Sequence, residues 1–289
     1  MAEIVRCLDA DELHALLKEH QPRAAPLIGA ALADGLSGRA CRAFVWRRDG
    51  DRCGGAVVLR RWLPLHWAAH VVVLDPDAAP ELGRLIDRSS ARVLQGFERD
   101  VEALRPHLSR WRSAISFRAA AVPPGFTWTD PPKSTRPAVA GDVPRITELA
   151  WQFAPHSIRW RPVLARRVRA AVREGAVVVE RGDPPVVVGY GALDTRTPEY
   201  DHWAHVVVDP AYRGEGLSWD LVAAGAALTR ARGAGGLVSL LPTNPMTMPD
   251  GALMPEALTV VSLEPRVGPL RGLLIRSGGG RLRLRRRVP

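Results

Sequence analysis

The stretch HVVVDPAYRGEGLSWDL, residues 205–221, carries an apolar run into a turn with two glycines and then into a helix. Arg213-Gly214-Glu215-Gly216-Leu217-Ser218 stands at that junction. Glycines there let a ligand come close to the backbone, and the first amides of a helix lack intrahelical partners at the positive end of its dipole. Together they make a site for an anion such as a diphosphate. The spacing is neither the G-x-G-x-x-G of a dinucleotide fold nor the G-x-x-x-x-G-K-[ST] of a P-loop. Just upstream stand His202 and His205. An imidazole, with its ordinary pKa of ~6.5, suits proton transfer near neutral pH. His205 alternates off the face of His202 in a regular strand, and a bulge at Ala204 would bring it round. Glu199, Tyr200 and Asp201 lie in the preceding loop, so a carboxylate base or a water relay stays open as an alternative.

Placed after its apolar strand and before its helix, the stretch resembles the acetyl-coenzyme A loop of the GNAT acetyltransferases, whose signature is Q/R-x-x-G-x-G/A. Arg213 takes the Q/R position, Gly216 the glycine, and Ser218 the last small position, where the family has Gly or Ala. The resemblance spans residues 135–275 and, more faintly, 1–122. It implies acetyl-coenzyme A as cofactor. Val206, Val207 and Val208 would pair with the pantetheine arm as an added strand does, and one of their amides would polarise the thioester carbonyl. Gly214, Glu215, Leu217 and Trp219 would join Arg213, Gly216 and Ser218 around the pyrophosphate, with the Glu215 carboxylate turned to solvent and Trp219 narrowing the groove. Asn244 would lie near the cofactor.

In several family members the base sits about eleven residues before the Q/R position, which here is His202. The family's tyrosine acid has no counterpart. The three tyrosines are Tyr190, Tyr200 and Tyr212, and the corresponding segment PTNPMTMPDGALMPEA holds none. Trp151, His156 and Trp160, on or near the first helices of the second half, are the acceptor-side residues together with Tyr190. The implied activity is acetyl transfer from acetyl-coenzyme A to a primary amine of a small molecule or peptide, by direct attack within a ternary complex. A non-catalytic acyl-coenzyme A-binding or regulatory module is the alternative.

The elements that position these residues occur twice. HWAAHVVVLDP (66–76) and HWAHVVVDP (202–210) are nearly the same phrase, and the elements around each follow a similar order. In the first half, helical spacing in DADELHALLKEH leads to a hairpin at Asp49-Gly50, a strand, a helix over AAPELGRLIDRSS, a strand, a helix and a last strand. In the second half a helix starts near Asp142-Val143-Pro144 and another closes at Gly175. A hairpin around Gly182-Asp183, the second phrase, a helix ending at Gly233 and strands at GLVSLL, LTVVSLE and RGLLIRS follow. Leu217, Leu221, Val222 and Leu228 mark the buried face of the helix after the glycine turn.

The fold class expected is α/β (α+β): two GNAT-like units, each a mixed, largely antiparallel sheet flanked by helices. Residues 1–122 form a degenerate unit without the cofactor loop, which serves as platform or wall for the substrate cleft. Residues 123–136 form a proline-rich linker, 137–275 the acetyltransferase unit and 276–289 a basic tail. After Asp75-Pro76 the first copy has DAAPELGRL, with no glycine pair and a carboxylate at Glu81.

Composition bounds the rest. At 289 residues with 46% hydrophobic and 24% charged content, the chain is long enough for two globular units. No run approaches the ~20 apolar residues of a membrane span, and the acidic N-terminus is unlike a signal peptide, so the expected location is the cytoplasm, as monomer or homodimer. Cys7, Cys41 and Cys53 lack metal-site spacing and read as buried free thiols, with no metal expected. Of the 40 basic residues 38 are arginine, which reads as a coding bias more than a nucleic-acid surface. Six of them fall in the last fourteen residues, a solvated tail or, in the alternative, a phosphate-binding one.

Overall fold

The computed structural model describes residues 2–36, 40–49, 52–63, 66–122, 130–153, 161–240 and 258–265. The first half supplies β1 (Ala2–Cys7), α1 (Ala10–Leu17), α2 (Ala25–Asp34), β2 (Cys41–Arg48), β3 (Arg52–Leu63), β4 (His66–Val73), α3 (Ala79–Arg88), β5 (Ala91–Phe97), α4 (Glu98–Leu104) and β6 (Trp111–Val122). The second supplies β7 (Thr135–Pro137), α5 (Val143–Phe153), α6 (Arg161–Gly175), β8 (Ala176–Arg181), β9 (Val186–Arg196), β10 (Tyr200–Val208), α7 (Leu217–Ala231), β11 (Gly235–Leu240) and β12 (Leu258–Pro265). The chain is thus the mixed α/β pair of units that the doubled phrase implies. β6 runs up to Val122, where the proline-rich linker was expected to start, but the last linker residues, Thr135 and Arg136, already belong to the edge strand Thr135–Pro137, where a proline's missing N–H is tolerated.

The strands form one continuous sheet in the order β1-β2-β3-β4-β5-β12-β6-β11-β10-β9-β8-β7. Among the described residues only β4–β5 and β10–β11 run parallel, and the other neighbours are antiparallel. Followed from either end, the order reads four antiparallel strands, a parallel fifth, one strand lent by the other half, and then the unit's own last strand. β12 lies between β5 and β6, and β6 lies between β12 and β11. Each half therefore completes the other's sheet.

Helices cover both faces. In the first unit α1 and α2 close one apolar layer, with Leu13, Leu17, Leu27 and Ile28 buried against Val45, Val58 and Val72. On the opposite face Leu82, Ile86, Val101 and Leu104 of α3 and α4 pack on Trp46, Val57, Val71 and Leu94. The second unit repeats this, with α5 and α6 over Val178, Tyr190 and Ala192, and α7 over Val177, Val188 and Leu193. Leu217, Leu221 and Val222 lie on the buried face of α7 as their spacing predicts, whereas Leu228 is 37% exposed. The last turn of α7 is anchored by Thr229 instead, whose hydroxyl accepts from Trp203 Nε1 at 3.0 Å.

The halves also meet outside the exchanged strands. Gly29 of α2 lies so close to β9 that a Cβ there would come within 2.7 Å of Thr195 Cβ. Beside it, His14 Nε2 lies 2.9 Å from Glu199 Oε2, Gln21 donates to the same oxygen at 2.8 Å, and the Thr197 hydroxyl donates to Gln21 Oε1 at 2.8 Å. This clasp holds the turn that leads into β10.

Candidate functional site

β10 pairs with β11 only from Tyr200–Gly235 to Trp203–Val238. From Ala204 onward the edge on that side has no strand partner among the described residues, while the other edge follows β9 as far as Val208–Gly189. The register between β9 and β10 shifts twice, leaving Asp194 on β9 and Ala204 on β10 out of the pairing. Bulges bend and twist a strand, and here they mark where β10 leaves its parallel neighbour. Val206, Val207 and Val208 are half-buried along the open edge.

The turn after β10 is held from two sides. Asp209 Oδ1 accepts from Ala211 N at 3.0 Å, and its Oδ2 accepts from Arg145 Nη2 at 2.6 Å. Arg145, on α5, also donates to the Val187 carbonyl, tying the turn to β9. Gly214 and Gly216 have φ of 88° and 79°, the left-handed region that glycine enters freely. A Cβ on either would meet nothing within 4 Å. The amides of Trp219 and Asp220 both donate to Gly216 O, so those of Leu217 and Ser218 precede the first helical bonds. The exposed stretch Arg213–Gly216 thus leads into a bare helix start beside an open strand edge. Glu215 is exposed yet not turned to solvent alone. Arg181 of β8 reaches both it and Asp220 at 3.6 Å, offsetting two carboxylates beside the glycine turn. Nothing in the local sequence pointed to Arg181, because it comes from another strand. Trp219 packs partly buried with Val206, Val208 and Tyr212 on the α7 layer.

The two histidines flank one carboxylate. His202 Nδ1 is 3.7 Å from Asp194 Oδ2, and His205 Nε2 is 3.8 Å from Asp194 Oδ1. The displacement at Ala204 brings both rings to Asp194, as a bulge was expected to do. Their surroundings differ. His202 is 5% exposed, and burial pushes its pKa down to about 4, with the Asp194 charge opposing. His205 keeps 48% of its side chain exposed. Burial raises Asp194, but its close pairing with His205 and the charges of His205, His202 and Arg60 outweigh that and hold it below the usual carboxylate range. Sequence reading missed Asp194, since only the bulged register places it beside both rings.

The upstream alternatives are engaged elsewhere. Asp201 is 1% exposed and accepts from Thr229, Arg196 and Arg232. Glu199 belongs to the clasp between the halves. Tyr200 opens β10, half-buried. Of the residues expected on the acceptor side, Tyr190 is buried in the layer under α5 and α6, which pushes its hydroxyl well above the usual phenol range, with Arg167 pulling the other way. Trp151 is half-buried on α5, with the Arg161 guanidinium 5.5 Å from its ring centre. His156, Trp160, Asn244, the RGLLIRS strand and the basic tail lie outside the described residues.

The equivalent place in the first unit is closed. The β4–β5 ladder also stops early, at His70–Gln95. But Val71, Val72 and Val73 are 3%, 0% and 5% exposed. Asp100 of α4 accepts from Val73 N at 2.8 Å, and Arg23, bonded to both Asp100 oxygens, donates to the Val73 carbonyl. The chain's own side chains occupy the backbone groups that β10 leaves open. Asp75 caps its turn as Asp209 does, accepting from Asp77 N at 3.0 Å. The helix that follows starts at buried Ala78 and Ala79, with Glu81 in its first turn.

Cys7 and Cys41 are buried free thiols, and Cys53, also free, is half-buried. Burial pushes Cys41 up to about 12. Among the described residues no helix is long and apolar enough to cross a membrane, and no group of three or more His, Cys, Asp or Glu is placed to hold a metal ion.

Residues 143–247 match the model of the acetyltransferase (GNAT) family. Among solved structures, a tandem GNAT protein from the clavulanic acid biosynthesis pathway is 17% identical with a TM-score of 0.52, over 93% of this chain and 99% of that one. A GCN5-related N-acetyltransferase from Sphaerobacter thermophilus is 14% identical with a TM-score of 0.55, over 92% and 96% of the two chains. One from Kribbella flavida is 18% identical with a TM-score of 0.50, over 86% and 98%. No curated protein sequence matches the chain.

Proposed function

Because residues 143–247 belong to the acetyltransferase (GNAT) family, we propose that the chain transfers an acetyl group from acetyl-coenzyme A to a primary amine of a small molecule or peptide. The observation that carries this is the open edge of β10 running into the bare start of α7. Val206–Val208 would hold the pantetheine arm by strand-like pairing. The amides of Gly214 to Ser218, with Arg213, would hold the diphosphate, and the space beside Gly214 and Gly216 fits its close approach. Acetyl-coenzyme A supplies the activated thioester. The chain's own groups supply position and proton transfer.

An ammonium cannot attack, so the acceptor must lose a proton. His205, exposed at the open edge and paired with Asp194, takes it. Asp194, ionised at every working pH, orients the ring and stabilises its protonated form, as a buried carboxylate does for a catalytic histidine. Buried His202 is a weaker base and packs against the other carboxylate oxygen. As the amine nitrogen bonds to the carbonyl carbon and the carbon–sulfur bond breaks, an amide of Val206–Val208 stabilises charge on the carbonyl oxygen. The nitrogen's second proton would pass to solvent, which would return one to the released thiolate. The reading is tested by following thiol release with a panel of amines beside calorimetry with coenzyme A. Binding with amine-dependent release supports it. Binding without release from any amine leaves the non-catalytic module.

A further inference from the structure

The proposed transfer uses His205, Asp194 and the open edge. It leaves unused three groups on three other elements: Arg60 of β3, His70 of β4 and Arg167 of α6. All three act electrostatically on Asp194, and Arg60 and Arg167 act on each other and on His70. Two come from the first unit, so this cluster lies where the halves meet.

Strand register sets two of them in places equivalent to residues of the second unit. Val58 pairs with His70 in the first unit and Ala192 with His205 in the second, so His70 and His205 occupy equivalent positions. Two residues beyond Val58 stands Arg60, and two beyond Ala192 stands Asp194. The duplication has placed a guanidinium in one unit where the other has a carboxylate.

The cluster has two chemical ends. At one, Asp194 holds His205, which takes an amine's proton. At the other are two guanidiniums and an imidazole. Arg60 bonds Asp34 at 2.6 Å, and half-buried Arg167 is drawn below its usual pKa by burial, only partly offset by Asp194. His70 is 3% exposed, and its Nε2 has no hydrogen-bond partner among the described residues. A buried ring nitrogen left unsatisfied calls for an explanation, and a ligand group is one. Guanidinium forks are matched to carboxylates. A site holding both signs within one small region complements a molecule that carries both.

The geometry points to an acceptor of the amino-acid class: an amine with a neighbouring carboxylate, its nitrogen at His205 and Asp194 and its carboxylate at Arg167 and Arg60, within reach of His70 Nε2. This rests on the transfer reading above and adds the first unit's task, which is to supply half of the acceptor site.

The test compares L-amino acids with their carboxamides as acceptors, following thiol release from acetyl-coenzyme A with the full chain. The free acids should be preferred. Arg167→Met should raise their KM roughly 10- to 100-fold, the effect of losing charge-assisted hydrogen bonds, and collapse the preference over the amides. His70→Leu should raise KM in the same direction, and His70→Gln, which keeps a donor, should restore part of it. Calorimetry with coenzyme A verifies that each variant is folded. Amides turned over as well as the acids, or a preference that survives Arg167→Met, would overturn the subsite while leaving the transfer reading intact. Coenzyme A binding with no turnover of any amine would overturn both.

Discussion

β4 and β10 are the same strand written twice, and they end in opposite states. Both part from a parallel neighbour partway along. In β4 the freed backbone is covered by Asp100 and Arg23, and the three valines are buried. In β10 the three valines stay half-exposed, with a glycine turn and a bare helix start beyond them. A strand edge in need of partners is a liability unless something covers it. One copy is covered from within, and the other stays open among the described residues. The two copies thus differ in two features together: the first has no glycine pair in its turn, and an ion pair fills the slot beside its strand.

The sharpest challenge to that comparison is to separate the units. Neither sheet is complete alone, because β12 lies beside β5 and β6 beside β11. Residues 1–122 and 123–289 expressed separately should show no cooperative unfolding transition, and mixing them should restore one. A half that melts cooperatively alone would mean that the exchanged strands are dispensable. The next largest effect concerns the paired histidines. His205→Ala should lower kcat by about 10²- to 10⁴-fold, the usual worth of a general base, with coenzyme A affinity unchanged. His70→Ala, at the equivalent position, should act on acceptor KM instead. Equal losses of kcat in the two would erase the division of labour between units.

Asp100→Ala strips the partner from a half-buried guanidinium and uncovers Val73 N. Breaking such a pair costs about 3–5 kcal/mol, which urea unfolding would register. Coenzyme A stoichiometry should not rise, since the first unit still lacks the glycine turn; a second equivalent bound would show that the ion pair alone closes the slot. A smaller effect is expected at Gly216. Val there is strained at a φ of 79° and projects its side chain into the open space proposed for the diphosphate, so the Kd for coenzyme A should rise roughly 10-fold or more. The matching change at Ala78, the buried residue that caps α3, should leave that Kd alone.

How much of this was legible follows from the range of each interaction. The doubled phrase, the helices and the glycine turn are local patterns, and the structure places them where the pattern predicts. Asp209 and Asp75 cap their turns through residues two positions away, so the repeated Asp-Pro carried its meaning in the sequence. Asp194, Arg60, Arg181 and the Arg23–Asp100 pair were not legible, because each acts on a residue of a different element. Alternation identifies β12 as a strand but says nothing of its neighbour, and β5 lies more than 150 residues before it. The bulge at Ala204 sits between: it was open from the histidine spacing, and only the register with β9 decides it.

Acidification should separate the buried histidines from the exposed one. His70 and His202 titrate near pH 4 in the folded chain, held there mainly by burial. In the unfolded chain they titrate near the ordinary histidine value of ~6.5. Between those values the unfolded state binds more protons, so their contribution to stability is whole above about pH 6.5 and drains away as pH falls towards 4. Asp194 acts on both rings, Arg60 and Arg167 act on His70, and His205 acts on His202; Asp194, Arg60 and Arg167 keep their charges across that window. The urea midpoint should fall from pH 7 to pH 5, and His70→Gln, neutral throughout, should flatten the fall. An unchanged slope in that variant would mean that His70 is solvated when charged, and the two units would then no longer differ in how they hold their equivalent histidines.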